Sequence, residues 1–95
     1  MDVVLIRRIP LTASEAITQA ARALHTVIIN YTDVEGSAST REIEPYSFRP
    51  GKDPGSVRIF GFDISKGQIR GFRMDRVSMA QITERTFVPK WIVEL

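Results

Sequence analysis

The chain has 95 residues, 43% hydrophobic and 25% charged, with a net charge of +2, no cysteine and one histidine. This is the make-up of one globular domain with a single core. It excludes disulfides and thiolate chemistry, argues against a transition-metal site, and fits a reducing cytoplasm. No stretch approaches the roughly 18–20 apolar residues needed to span a bilayer, so no membrane partner is expected. Val3–Ile6, preceded by Asp2, is too short for the apolar core of a signal peptide.

The charge is unevenly spread. Residues 1–48 hold four arginines against six acids, a net of −2, while residues 49–95 hold nine Lys/Arg against five acids, a net of +4. Arginine outnumbers lysine ten to three, and its planar fork suits phosphate or carboxylate. The asymmetry tilts toward an anionic partner. By itself it is equally the mark of a solvated basic face.

In chain order, "LTASEAITQAARALHT" is the one predicted helix. Thr12 or Ser14 can cap it and Glu15 suits its positive end. Ala13, Ile17, Ala20, Ala21 and Leu24 form a short Ala-rich stripe, fit to lie across a sheet. Everything after His25 reads as strands. "TVIINYTD" is β-branched and aromatic, and "VEGSAST" is a polar turn. "REIEPYSFRP" alternates but contains Pro45, which implies an edge or a bulge. "GKDPGS" is a loop; "VRIFGFD" and "QIRGFRM" are strands around the turn "ISKG". "DRVS" is a break and "MAQITE" a closing strand. Gly61 and Gly71 fall inside strands, where they could allow sharp bending. One helix and five short strands predict a mostly β, α+β domain: a helix packed on a bent five-stranded antiparallel barrel or half-barrel.

Residues 57–77, "VRIFGFDISKGQIRGFRMDRV", resemble the signature of WYL domains. That family shows Trp-Tyr-Leu, then an aromatic-Asp pair, a turn and Arg-x-Phe-Arg-Leu-Asp-Arg-Ile. Phe62-Asp63 stands for the aromatic-Asp pair, and Arg70 to Val77 follow the second block almost position by position. Upstream, the helix, the strand ending in Tyr31 and "REIEPYSF" are similar to the family's helix, "I-x-Y" strand and "R-x-V-x-P" strand. The likeness covers about residues 13–87. The name-giving tripeptide is replaced by Val57-Arg58-Ile59, which removes the family's Tyr. The family's usual N-terminal helix-turn-helix domain and longer C-terminal extension have no counterpart in these 95 residues. The chain is thus expected to be either a domain of a larger regulator or a stand-alone accessory protein.

The resemblance implies an Sm-like fold over residues 12–87, with 1–11 as an N-terminal strand or tail and 88–95 as a C-terminal tail or edge strand. It implies a regulatory ligand-sensing module of bacterial transcription regulators or phage-defence systems. The implied ligand is single-stranded nucleic acid or a nucleotide, and the implied partner a DNA-binding domain or effector protein. Arg70 and Arg76 match the family's most characteristic cations. With Tyr31 and Phe72 they could hold a phosphate and stack a base; Arg73 and Arg58 are further candidates. Each arginine could instead pair with Asp63 or Asp75.

No catalytic constellation, phosphate loop or cofactor motif is visible, so no enzyme activity is expected. Glu42 and Glu44 share a strand face and read as solvated. His25, at the helix C-terminus, reads as a cap. Trp91 is expected to pack on the barrel or on a neighbouring chain. The competing function is assembly, as a homodimer or larger ring, through free barrel edges and the apolar "VVLI" and "WIVEL" termini.

Overall fold

The computed structural model describes residues 10–95. The expected N-terminal strand, including "VVLI", lies outside the described residues. The helix α1 spans Ala13–Ala23. Of the two candidate caps, Thr12 serves. Its hydroxyl accepts the Glu15 N–H at 3.2 Å, while the Glu15 carboxylate accepts the Thr12 N–H at 3.3 Å, a reciprocal capping box. Leu24 ends the helix in the left-handed region, with φ 58°, and its N–H donates to the carbonyls of Ala20 and Ala21. The turn comes before His25, so the expected histidine cap does not form. His25 instead opens the first strand, and its Nδ1–H donates to the Thr83 carbonyl at 2.6 Å.

Five strands follow: β1 His25–Thr32, β2 Ala38–Pro50, β3 Val57–Asp63, β4 Gln68–Arg73 and β5 Val77–Thr86. They form one antiparallel sheet in the order β4-β3-β2-β1-β5. Strands β1 to β4 form the expected meander, but β5 does not extend it: it crosses over to pair with β1. Among the described residues no pairing joins β4 to β5, so the sheet has two edges, linked by a 3-10 turn over Met74–Arg76.

The helix lays Ile17 and Ala20 on a core made by Val27, Ile29, Ile43, Ile59 and Phe72. The strand residues recur at alternate positions, as one sheet face requires. The small side chains of Ala16, Ala20 and Ala21, all buried, let α1 lie close to the sheet.

Pro45 sits in the middle strand of the sheet, not on an edge. The ladder accommodates its missing N–H with a register shift between Pro45 and Ser47, leaving Tyr46 as the extra residue of a bulge. Gly61 and Gly71 lie where the backbone is closely approached. A Cβ on Gly61 would lie 2.9 Å from the Glu44 carbonyl and from Ile43 Cδ1, and one on Gly71 3.0 Å from Phe60 Cζ.

The tail, residues 87–95, holds no strand and packs over the bulge. The Glu94 N–H donates to the Tyr46 carbonyl at 2.8 Å. Lys90 Nζ lies 3.0 Å from both Glu44 oxygens, and the Tyr46 hydroxyl donates to Glu44 Oε1 at 2.8 Å. Glu44 is therefore not solvated as its strand position suggested; it is only 7% exposed. Glu42 is engaged as well, accepting the Thr26 hydroxyl at 2.7 Å. Burial, with Glu44 as an added acceptor, pushes the Tyr46 hydroxyl up to about 12, so it remains a donor at neutral pH. Lys90 Nζ also stands 4.3 Å from the Phe62 ring centre, and Trp91 meets Tyr46 edge-on at 5.3 Å.

Ile29→Ala empties a fully buried site, and chemical denaturation should show a loss of about 2–5 kcal/mol. Lys90→Met strips a buried carboxylate of its cation. The expected loss is on the order of 1–3 kcal/mol, read from the same denaturation curves. The loss should shrink when Glu44→Gln is added.

Candidate functional site

A hollow of about 370 Å³ is bordered by β4, by β1, β2 and β3, and by the β1–β2 and 3-10 turns. Tyr31, Arg58, Arg70, Phe72, Arg73 and Arg76, the six residues singled out from the sequence, all border it. So do Asp33, Val34, Ser39, Arg41 and Gly71. Alternation puts Arg70 and Phe72 on the core-facing side of β4 and Arg73 on the other. Residues of both parities border the hollow, Arg70 and Phe72 from one side of the sheet and Arg58 and Arg73 from the other.

The aromatic wall is a Tyr31–Phe72 pair, edge-on with ring centres 5.1 Å apart. Phe72 is buried in the core and steadies Tyr31, which is only partly covered. Tyr31 is thus the ring with a surface to offer.

The five arginines differ in how far their charge is met. Arg41 projects from the core-facing side of β2, two residues before the buried Ile43. Its Nη1 donates to Asp63 Oδ2 at 3.0 Å and its Nε to Ser39 Oγ at 3.2 Å. Asp63 is fully buried and also accepts the Ser65 hydroxyl at 3.0 Å and the Lys66 N–H at 3.3 Å. Arg73 grips Asp75 with two bonds, Nε to Oδ1 at 3.0 Å and Nη2 to Oδ2 at 2.6 Å, and reaches Asp53 at 2.9 Å. That bidentate contact raises the Arg73 guanidinium above its ordinary value and holds the Asp75 carboxyl below its own. Asp75 therefore gives up its charge at a lower pH than an ordinary carboxyl, and the pair holds to correspondingly lower pH.

The other three have no carboxylate partner among the described residues. Arg76 Nη1 donates to the Asp33 carbonyl at 3.1 Å, tying the 3-10 turn to the β1–β2 turn. Arg70 makes no hydrogen bond or ion pair among the described residues. Arg58 stands directly opposite Arg49 on β2 and Arg73 on β4, a row of three like charges across the sheet. Its outer neighbours are met by Glu94 and by Asp53 and Asp75. Arg58 is not, and its Nε is buried without a partner among the described residues.

Arg41 and Asp33 were not singled out from the sequence. A cation two residues from a core isoleucine on the same strand face was the available signal for Arg41. Asp33 gave none, because its part depends on the turn. Its carboxylate accepts the N–H groups of Glu35 and Ser37, both at 2.9 Å, around Gly36 at φ 87°.

A larger hollow, about 920 Å³, lies between the tail and β3–β4, lined largely by apolar groups such as Phe60, Ile69, Trp91 and Ile92. Its two charged residues, Arg49 and Glu94, pair with each other at 2.9 Å. It offers no free charge, and the smaller hollow is the better candidate for recognition. No helix among the described residues is long and apolar enough to cross a membrane.

In the solved structures, the chain is similar to proteasome accessory factor B/C (PafBC) of Arthrobacter aurescens, with 25% identity and a TM-score of 0.70. The likeness covers 78% of this chain and 11% of that one, so the chain corresponds to a small part of that protein. No curated protein matches. The family model for the WYL domain matches residues 12–82, from the Thr12 cap to the middle of β5. The chain belongs to the WYL domain family.

Proposed function

We propose that the chain is a non-enzymatic regulatory module that senses an anionic ligand in the hollow along β4. The ligand class is a single-stranded nucleic acid or a nucleotide. The observation that carries this reading is the convergence of Arg58, Arg70 and Arg76, none with a carboxylate partner among the described residues, beside the ring of Tyr31. Guanidinium forks would bind phosphate oxygens, and Tyr31 would stack on a base. Arg41 and Arg73, already paired, would shape the walls. The ligand would act on an attached or associated DNA-binding domain or effector, as the family resemblance implies for transcription regulation or phage defence.

A second reading, assembly, is favoured by the unpaired edges of β4 and β5, with Ile69 and Met79 half exposed along them. The two are compatible, since a groove shared between copies could hold the ligand.

Fluorescence polarisation with a labelled single-stranded oligonucleotide, at several salt concentrations, tests the site. Two to three phosphate contacts should give a log–log salt slope of about −1.4 to −2. Arg70→Ala with Arg76→Ala should weaken binding at least tenfold and flatten that slope. Affinity unchanged in the double variant would sink the assignment. Light scattering at micromolar concentration separates the second reading, which predicts a dimer or larger species; a monomer throughout removes it.

A further inference from the structure

The unpaired edge of β4 has a different chemistry on each of its two faces. Among the described residues β4 pairs only with β3, so the backbone groups on its other side are open to a further strand. Side chains alternate across a sheet. Ile69 and Gly71 therefore share the outer face, and Arg70 between them lies on the core-facing side.

The outer face is apolar up to its rim. Ile69 is 45% exposed. Gly71 has no side chain, and Phe60, directly opposite it on β3, lies against it: a Cβ there would stand 3.0 Å from Phe60 Cζ. Phe60 thus fills the space that a β4 side chain would take and carries an apolar surface toward the edge. Behind Ile69 and Phe60 the hollow of about 920 Å³ continues to Trp91 and Ile92. The core-facing side offers the opposite, a half-buried guanidinium, Arg70, with no carboxylate partner among the described residues.

A strand laid on this edge meets a defined demand. Its residue opposite Arg70 is complemented by a carboxylate. The two residues flanking that one point to the other face, where Ile69 and Phe60 call for apolar side chains. The edges of a second copy do not supply this pattern. β4 carries two arginines and no acid, and the one acid of β5, Glu84, stands between Thr83 and Arg85. In the tail, Val93-Glu94-Leu95 has the pattern, but the Glu94 carboxylate is held by Arg49 and its N–H by the Tyr46 carbonyl.

We propose that the β4 edge docks an extended segment of another protein by strand addition, an acidic residue meeting Arg70 and its apolar neighbours covering Ile69 and Phe60. Backbone bonds supply the hold and the alternation supplies the selectivity. The segment takes up a guanidinium that the anion site also uses, so partner docking and anion binding exclude one another.

The test is a calorimetric titration of the full 95-residue chain with a capped heptapeptide, Ser-Thr-Val-Glu-Val-Thr-Ser. A second peptide has lysine for glutamate. Two more carry an N-methyl group, one on the glutamate and one on the valine after it, whose N–H groups point to opposite edges of an extended chain. The lysine peptide should bind about fivefold or more weakly. One of the two methyl groups should abolish binding, and the other should cost much less. Arg70→Gln should erase the difference between the glutamate and lysine peptides, and Ile69→Lys should weaken both, with the thermal midpoint of each variant within a few degrees of the parent. Equal binding of the glutamate and lysine peptides, equal effects of the two methyl groups, or no binding of any peptide overturns the proposal. So does a dimer in light scattering that Ile69→Lys dissolves and the peptide leaves intact, which would assign the edge to a second copy. The titration contains no nucleic acid, so its failure and the failure of the anion site are read separately.

Discussion

A carboxylate with no exposure to water, that of Asp63, fixes the geometry of the candidate site. Burying a charge is tolerable only when it is paired and hydrogen-bonded. Asp63 meets this with Arg41 from β2, the Ser65 hydroxyl and the Lys66 N–H. One group thereby sets the β3–β4 turn and anchors a guanidinium at the wall of the hollow. The turn in turn sets where β4 begins, and β4 carries Arg70, Phe72 and Arg73. The Asp of the aromatic-Asp pair is, in this chain, a buried positioning group in the sheet.

The two faces of the sheet are put to different uses. The inner face carries the apolar core under α1 and ends in polar residues, Tyr31, Arg41 and Arg70, where the core gives way to the hollow. The outer face carries the Tyr46 bulge and the tail. Proline in a central strand would leave the ladder incomplete. The bulge relocates the defect to the Tyr46 carbonyl, and the tail's Glu94 N–H satisfies it. The tail is thus a structural part of the domain beyond the residues that match the family model.

Much of this was legible in the sequence, and the reasons are local. The helix could be read from Thr12, Glu15 and its apolar stripe because capping acts over three residues. The strands could be read from alternation, and the six bordering residues from a motif spanning β3 to the 3-10 turn together with the upstream strand that ends near Tyr31. What was not legible depends on distant partners. Glu44 looked solvated because Lys90 lies 46 residues away in sequence. For Arg73 the nearby Asp75 was a legible partner, but Asp53, 20 residues before it, was not, because it comes close only through the loop after β2. His25 looked like a cap because nothing local announces that Leu24 takes the left-handed turn. Pro45 admitted an edge or a bulge, and only the strand order decides between them.

The row Arg49–Arg58–Arg73 also bears on how occupancy could be reported. Like charges opposite one another are destabilising; the outer two here are each met by acids, and Arg58 alone has none. An anion held beside Arg58, as proposed, would offset its charge at the point where three strands meet. Under that proposal the signal would need no displacement of any element: a stiffening of one corner of the sheet, felt by whatever leans on it, would be enough.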